Sequence, residues 1–335
     1  MKKQTLAIIL VLAAVLAGCI AGALGLRRPT ANSTPLRLNL PEGTDYKTLC
    51  DSLSANGIAP GATFSLMARA LRLNQNVRPG SYIVEPHMRQ LALVRKLRNG
   101  QQDPIRLTIG KFRLPQQLNE YLNKKLMHDD FNVTLDSFYL IRPNTYEFYW
   151  TITPEKFMRR MGKEYAAFWQ QTAGSGKWVV DSARGETLPI IQYPLNTHDI
   201  ITLASIVEEE TNNNAEKPLI ASVYLNRLKR GMPLQADPTV KYAVGDFTLR
   251  RILNKHLATE SPFNTYLHTG LPPEPICLPS AASVKAVIGA PQTNYIYFCA
   301  SDKLDGTHRF AATLAEHNAN AARYHRALER MGIKR

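Results

Sequence analysis

The sequence predicts an α+β protein in three parts: an N-terminal transmembrane helix, a small α+β module and a larger mixed α+β domain that carries the chemistry. Three observations lead there. An uncharged apolar segment opens the chain, short alternating strands mix with helical patterns between residues 36 and 108, and polar, carboxylate-bearing blocks cluster between 196 and 275. Alternation of period two marks half-buried strands, and interleaving them with helices over a short stretch is the signature of an α+β unit. At 335 residues the chain can bury more than one core without disulfide staples.

The first element runs from Leu6 to Leu26, with Lys2-Lys3 before it and Arg27-Arg28 after it. At 1.5 Å per residue it reaches about 31 Å, one hydrocarbon thickness. The apolar core of a cleaved signal peptide is shorter, about 7–15 residues. An uncleaved single span is therefore expected over residues 1–28, with lipid attachment at Cys19 in Leu16-Ala17-Gly18-Cys19 as the alternative. Residues 29–35 read as a polar tether, and the rest of the chain is expected outside the cytoplasm, periplasmic or extracellular, held at the cell (inner) membrane.

Leu36, Leu38 and Leu40 alternate with polar residues, which predicts a strand. Helices are expected over 46–56 and 64–73. Pro79-Gly80 turns into a strand at 81–84, a helix covers about 88–98 and stops at Asn99-Gly100, and Ile105, Leu107 and Ile109 alternate again. The region 110–195 reads as mostly helical. Its aromatic run Tyr146-Glu147-Phe148-Tyr149-Trp150 is either core or the lining of a sugar cleft. Gly174-Ser175-Gly176 lacks the Lys-Ser/Thr of a phosphate cradle and reads as a loop.

Composition narrows the function. Lys and Arg number 41 against 27 Asp and Glu, a net charge of +14, which favours anionic partners. The basic residues are scattered rather than clustered, so a solvated basic surface is expected and nucleic acid is not. The four cysteines form no CxxC pair and no His cluster accompanies them, so no metal site is expected. Cys277 and Cys299 read either as a bridge or, with Cys50, as buried thiols.

A helix capped by Asn196 or Thr197 carries the stripe Ile200, Leu203, Ala204, Val207 and Thr211, and ends in Glu208-Glu209-Glu210. At about 100° per residue Glu208 and Glu210 flank the stripe and Glu209 points to solvent. Three carboxylates at a helix C-terminus oppose the macrodipole, which helps raise a carboxyl pKa as an acid catalyst requires. A second helix is expected over 217–229. Pro233 to Thr239 reads as a short extended piece, and two polar loops follow at 261–266 and 269–273. Polar loops beside a buried acid suit a carbohydrate, although turn chemistry alone also accounts for them.

The blocks Ala204-Ser205-Ile206-Val207-Glu208-Glu209-Glu210-Thr211, Leu234-Gln235-Ala236-Asp237-Pro238-Thr239-Val240, Ser261-Pro262-Phe263-Asn264-Thr265-Tyr266 and Thr269-Gly270-Leu271-Pro272-Pro273, in that order and spacing, resemble those of the YceG-like family, the endolytic murein transglycosylases of the MltG type. The resemblance implies a LysM-like module at 36–108 and a transglycosylase domain at 109–335. It implies a lyase that takes part in cell-wall biogenesis and organisation, cutting the MurNAc–GlcNAc β-1,4 bond of nascent peptidoglycan and leaving 1,6-anhydro-MurNAc ends. The second Glu of the family's Glu-x-Glu falls on Glu210, the implied general acid and then base, and Glu210-Thr211 resembles the Glu-Ser pair of lysozyme-like transglycosylases. Glu208 is a candidate supporting acid. Gln235, Asp237, Asn264 and Tyr266 are candidates for holding sugar hydroxyls or orienting the acid. No cofactor is implied. The expected partners are peptidoglycan strands and a membrane, with cell-wall synthases as further candidates. The competing expectation is a membrane-tethered wall-binding protein without catalysis.

Overall fold

The computed structural model describes residues 28–126, 129–172, 195–249 and 251–333, and by backbone alone residues 173, 178–181 and 186–189. The expected span at 6–26, Cys19 and the loop at 174–176 lie outside the described residues. Among those described, no helix is long and apolar enough to cross a membrane. The architecture is α+β. The chain divides into two compact units: one runs up to Leu107 and includes Tyr146–Thr153, the other holds Thr108–Thr145 and everything from Pro154 onward.

The first unit is ordered β1 (Leu36–Leu40), α1 (Tyr46–Ala55), α2 (Ala62–Ala70), a 3₁₀ turn (Leu73–Gln75), β2 (Gly80–Val84) and α3 (Gln90–Asn99). Strands β1 and β2 pair antiparallel with Leu38 opposite Tyr82. Leu38, Leu40, Tyr82 and Val84 bury one face of this pair against Leu49 and Leu53 of α1, Phe64 and Met67 of α2, and Leu93 and Leu97 of α3. Asp45 caps α1 by accepting from the Thr48 amide at 2.7 Å. Gly100 ends α3 in the left-handed conformation at φ +66°, where a side chain would be strained. The helix expected to reach residue 73 stops at Ala70 instead, because Arg72 takes φ +58° and restarts the chain as the 3₁₀ turn. In the returning segment Tyr146, Phe148 and Trp150 are buried while Tyr149 is 59% exposed, so the aromatic run is core by strand alternation.

Between the two units the chain runs through β3 (Ile105–Ile109) on the way out and β4 (Asn144–Phe148) on the way back. The second unit contains α4 (Pro115–Leu126), α5 (Leu135–Phe138), α6 (Pro154–Ala173) and the antiparallel hairpin of β5 (Trp178–Asp181) and β6 (Glu186–Pro189). Then come α7 (Thr197–Glu210), α8 (Lys217–Lys229), α9 (Asp237–Val244), α10 (Asn254–Leu257) and α11 (Ala281–Ile288). The antiparallel hairpin of β7 (Tyr297–Ala300) and β8 (His308–Ala311) and the helix α12 (Leu314–Arg330) close the order.

Helix α7 forms the centre of this unit. Asn196 and Asp199 cap it reciprocally, each side chain accepting from the other's backbone amide. Every residue from Ile200 to Val207 is buried, packed against Ile220, Ala221 and Tyr224 of α8 and Val284 and Val287 of α11. The single buried stripe expected from spacing is thus corrected to burial all round, which is what a helix enclosed by neighbours on several sides requires. The extended reading of 233–239 is corrected too: helix α9 starts at Asp237, with Pro238 in its first turn, where a missing N–H costs nothing. Cys50, Cys277 and Cys299 are free thiols, and only Cys277 is buried.

Candidate active site

The last turn of α7 holds three consecutive glutamates, and no basic residue in that turn offsets them. Each finds a different environment. Glu208 accepts from the Ser280 hydroxyl at 2.6 Å, the Ser283 hydroxyl and the Lys217 ammonium at 3.0 Å. Burial pulls its carboxyl up, but these hydrogen bonds and the Lys217 charge outweigh burial and hold it below the ordinary glutamate value. Glu208 therefore ties α7 to α8 and α11 as a carboxylate. The expected supporting acid is corrected to a structural anion, since its donors leave it no proton to give.

Glu209 is not solvated as its helical angle predicted. Its side chain is only 10% exposed and pairs with Arg113 at 2.7 Å and Lys111 at 3.3 Å. The angle argument assumed one buried face, and a helix enclosed on all sides leaves none free.

Glu210 lies at the helix end, half-buried, and lines a cavity of about 400 Å³ together with Tyr224, Arg227, Gln235, Asp237 and Tyr266. It also borders a second cavity of about 740 Å³, reached past Thr211 and Asn213. The Tyr224 hydroxyl donates to Glu210 Oε1 at 2.6 Å. Among the described residues Oε2 has no hydrogen-bond partner, and it is not an enclosed atom. Burial lifts the Glu210 carboxyl to about 7; the Tyr224 hydrogen bond pulls the other way, and the charges of Asp237 and Glu209 add to the rise. A carboxyl poised near neutral pH, with one oxygen fixed and the other facing a cavity, can give and recover a proton. The phenol stays protonated as donor, because burial and the neighbouring Glu210 push it well above the usual tyrosine value.

The wall opposite is built by hydrogen bonding. Tyr266 donates to Asp237 Oδ1 at 2.6 Å, so these two predicted residues act as a pair on the cavity. Gln235 also reaches the cavity. Its backbone sits at φ +52°, held by its amide to the Thr265 carbonyl at 3.0 Å and by Arg227 Nη1 to its Oε1 at 3.2 Å. Asn264 does not reach the cavity. It is fully buried, its amide donates to the Leu257 and Thr259 carbonyls at 2.9 Å, and its Oδ1 accepts from the Tyr266 amide at 3.0 Å. Its place is corrected from substrate contact to the loop support that sets Tyr266.

Sequence reading missed Tyr224, Arg227, Tyr297 and His317, all of which line the same cavity. Tyr224 sits between Val223 and Leu225 on α8, Arg227 follows one turn later, and the other two come from the C-terminal hairpin and α12. No local signal marks them, because Arg227 stands between Asn226 and Leu228 in a helix that also carries Lys217 and Lys229, and its burial comes from the packing of distant segments. Among the described residues no group of three or more His, Cys, Asp or Glu could hold a metal ion.

The model of the YceG-like family matches residues 38–323. The chain is 45% identical over 130 residues to the endolytic murein transglycosylase of Bacillus subtilis, covering 39% of this chain and 35% of that protein. It is 33% identical over 134 residues to the endolytic murein transglycosylase of Streptococcus pneumoniae, covering 39% of this chain and 24% of that one. The match thus spans about a third or less of the curated relatives' length. A crystal structure of a putative yceG-like protein from Listeria monocytogenes aligns with a TM-score of 0.52 and 26% identity over 86% of this chain and 99% of that chain.

Proposed function

The chain belongs to the YceG-like family, and from that premise we propose that it is an endolytic lytic transglycosylase of peptidoglycan in which Glu210 is the only acid–base group. The observation that carries the reading is the pairing of Glu210 with Tyr224: one carboxyl oxygen is taken by a phenol at 2.6 Å, and the other is open to a cavity. The donor on Oε1 leaves Oε2 as the protonated atom, and burial keeps that proton on near neutral pH.

The reaction conserves atoms within the strand. Glu210 Oε2–H protonates the glycosidic oxygen as the bond to the muramyl C1 breaks. The muramyl C6 hydroxyl forms the new bond to C1 and returns its proton to Glu210, leaving a 1,6-anhydro end. No water is consumed and the acid is regenerated. Because the nucleophile is tethered in the same sugar ring, effective molarity supplies much of what a second carboxylate and a bound water give a hydrolase. The Tyr266–Asp237 pair and Gln235 orient sugar hydroxyls, and Asp237 helps keep Glu210 protonated through its charge.

The same proposal places the N-terminal segment in the membrane as a single span, with the rest of the chain outside the cytoplasm, where the nascent wall is. The first unit acts as a LysM-like wall-binding module and carries no catalytic group. Cell-wall synthases would be the natural neighbours of an enzyme that cuts new strands. The test is digestion of purified glycan strands with the full chain and mass analysis of the ends. Anhydro-muramyl termini support the proposal. Reducing muramyl termini would make the protein a hydrolase, and uncut strands that remain bound would make it a wall-binding protein.

A further inference from the structure

Arg227 carries a charge that no carboxylate among the described residues neutralises. It is only 7% exposed. Its Nε donates to the Ile296 carbonyl at 2.7 Å, and its Nη1 donates to the carbonyls of Pro233 at 3.2 Å and Leu234 at 2.9 Å and to Gln235 Oε1 at 3.2 Å. All four acceptors are neutral. No carboxylate among the described residues pairs with it, although Asp237 and Glu210 line the same cavity. Tyr266 takes Asp237, and Tyr224 takes Glu210. Among the described residues the Nη2 group has no acceptor, and it is not among the enclosed atoms, so it is the part of the guanidinium left open.

A buried cation without a counter-ion is costly, and the cost is relieved when an anion arrives. The surroundings fit such an arrival. The Tyr297 ring lies 5.3 Å from the guanidinium carbon and stacks on His317 at 5.2 Å. Burial, and then the Arg227 charge, hold His317 below its ordinary pKa, so the ring adds no competing charge beside the guanidinium. His317 Nδ1 is buried with no hydrogen-bond partner. The four bonds on Nε and Nη1 fix the fork in place, so an incoming carboxylate meets a pre-oriented donor rather than a flexible chain.

We propose that Arg227 Nη2 forms an anion subsite in the Glu210 cavity, which takes a carboxylate of the muramyl substituent and thereby selects charged wall strands over neutral ones. The inference rests on the peptidoglycan reading for its substrate class. Two sources offer this chemistry: the lactyl carboxylate of a muramyl residue that has lost its peptide, and a free carboxylate of the stem peptide where the peptide remains. A carboxamide in the same place would meet the guanidinium without charge and leave it unpaired.

The experiment is calorimetric binding of defined muramyl tetrasaccharides to the full chain carrying Glu210→Gln, at low and at high ionic strength. One ligand has free lactyl carboxylates, one has lactyl carboxamides and one bears stems with free carboxylates. The expected result is about ten-fold tighter binding of a carboxylate ligand than of the carboxamide, with the advantage shrinking in salt. The tighter of the two carboxylate ligands identifies the source. Arg227→Gln is expected to abolish the preference and Arg227→Lys to retain part of it. If Arg227→Gln melts, the ligand comparison on the Glu210→Gln chain still decides. Equal affinity for carboxylate and carboxamide, or no binding of either, overturns the subsite. Digestion by the unsubstituted chain separates this from the reaction. Anhydro ends formed equally from both strands would remove the subsite and leave the chemistry. A carboxylate preference without anhydro ends would do the reverse.

Discussion

The two faces of the last turn of α7 receive the same side chain and treat it in opposite ways. On the face toward α8 and α11, Glu208 meets two hydroxyls and an ammonium and remains a carboxylate. On the face toward the cavity, Glu210 meets a single phenol and is lifted to about 7. Burial pushes both carboxyls up and both oppose the macrodipole, so neither the helix nor the direction of the burial effect distinguishes them. The number and charge of the donors does. A carboxylate with several donors, one of them cationic, is a structural anchor. A carboxylate with one neutral donor, facing space, is an acid.

The largest effect that would sharpen this contrast is at Glu210. Glu210→Gln keeps the acceptor for Tyr224 but cannot transfer the proton, and anhydro-product formation should fall by at least about 10²–10⁴-fold. The same variant should be more stable at alkaline pH. Native Glu210 holds its proton better than the unfolded chain does, so its contribution is whole below the ordinary glutamate value near 4.5 and is lost as pH rises through about 7. Thermal unfolding at pH 8 should show a gain of up to about 3 kcal/mol that is absent at pH 4. An inactive variant with no such pH-dependent gain would mean the carboxyl is not desolvated.

Glu208→Gln comes next. It leaves Lys217 buried without its partner and should destabilise the fold by about 3 kcal/mol, with turnover per folded molecule close to normal. The parent's Glu208 contribution is present above the ordinary glutamate value and is lost as pH falls through its depressed native one, so the difference between variant and parent should shrink in acid. A stable Glu208→Gln protein without activity would erase the distinction between the two faces. Tyr224→Phe should be smaller. Losing a donor to the carboxylate raises the Glu210 pKa, so the alkaline limb of the kcat/KM profile should move up by about one pH unit with little change in KM. A limb that stays in place would show that the phenol does not touch the working carboxyl. The smallest change is Glu209→Gln, which keeps the size of the largely buried side chain and loosens Arg113 and Lys111, partners that stay partly open to water, and should cost about 1 kcal/mol with normal turnover.

How much of this was legible depended on how local the information was. The strands of the first unit, the Asn196 cap, the end of α3 at Gly100 and the bounds of α8 all follow from residues within a few positions of one another. Glu210 itself came from the match of local blocks. What failed came from packing between distant segments. Glu209 was placed in solvent because a helical angle carries no knowledge of Lys111 and Arg113, nearly a hundred residues earlier. Glu208 was read as an acid because its donors Ser280 and Ser283 lie some seventy residues later. Asn264 reads as a binding group because a polar residue in a loop looks the same whether it faces substrate or holds the loop shut. Tyr224 sits between Val223 and Leu225, and nothing in that neighbourhood separates a core tyrosine from one that steers a proton.

The return of residues 146–153 to the first unit has a consequence for how the protein is made and how it can be cut. A ribosome delivers the N-terminal unit without its last piece, and Tyr146, Phe148 and Trp150 arrive only after the stretch from Thr108 to Thr145 has emerged. The first unit therefore completes late, with some forty residues of its neighbour already outside the tunnel. For dissection, no single cut separates the two units. A fragment beginning at residue 109 keeps Tyr146–Thr153 but lacks the chain up to Leu107 with which that segment forms one compact unit, and an apolar segment left without its unit promotes aggregation. Its solubility, ahead of any assay of turnover, would be the first property to suffer, and replacing 146–153 with a short polar linker is the repair that this connectivity prescribes.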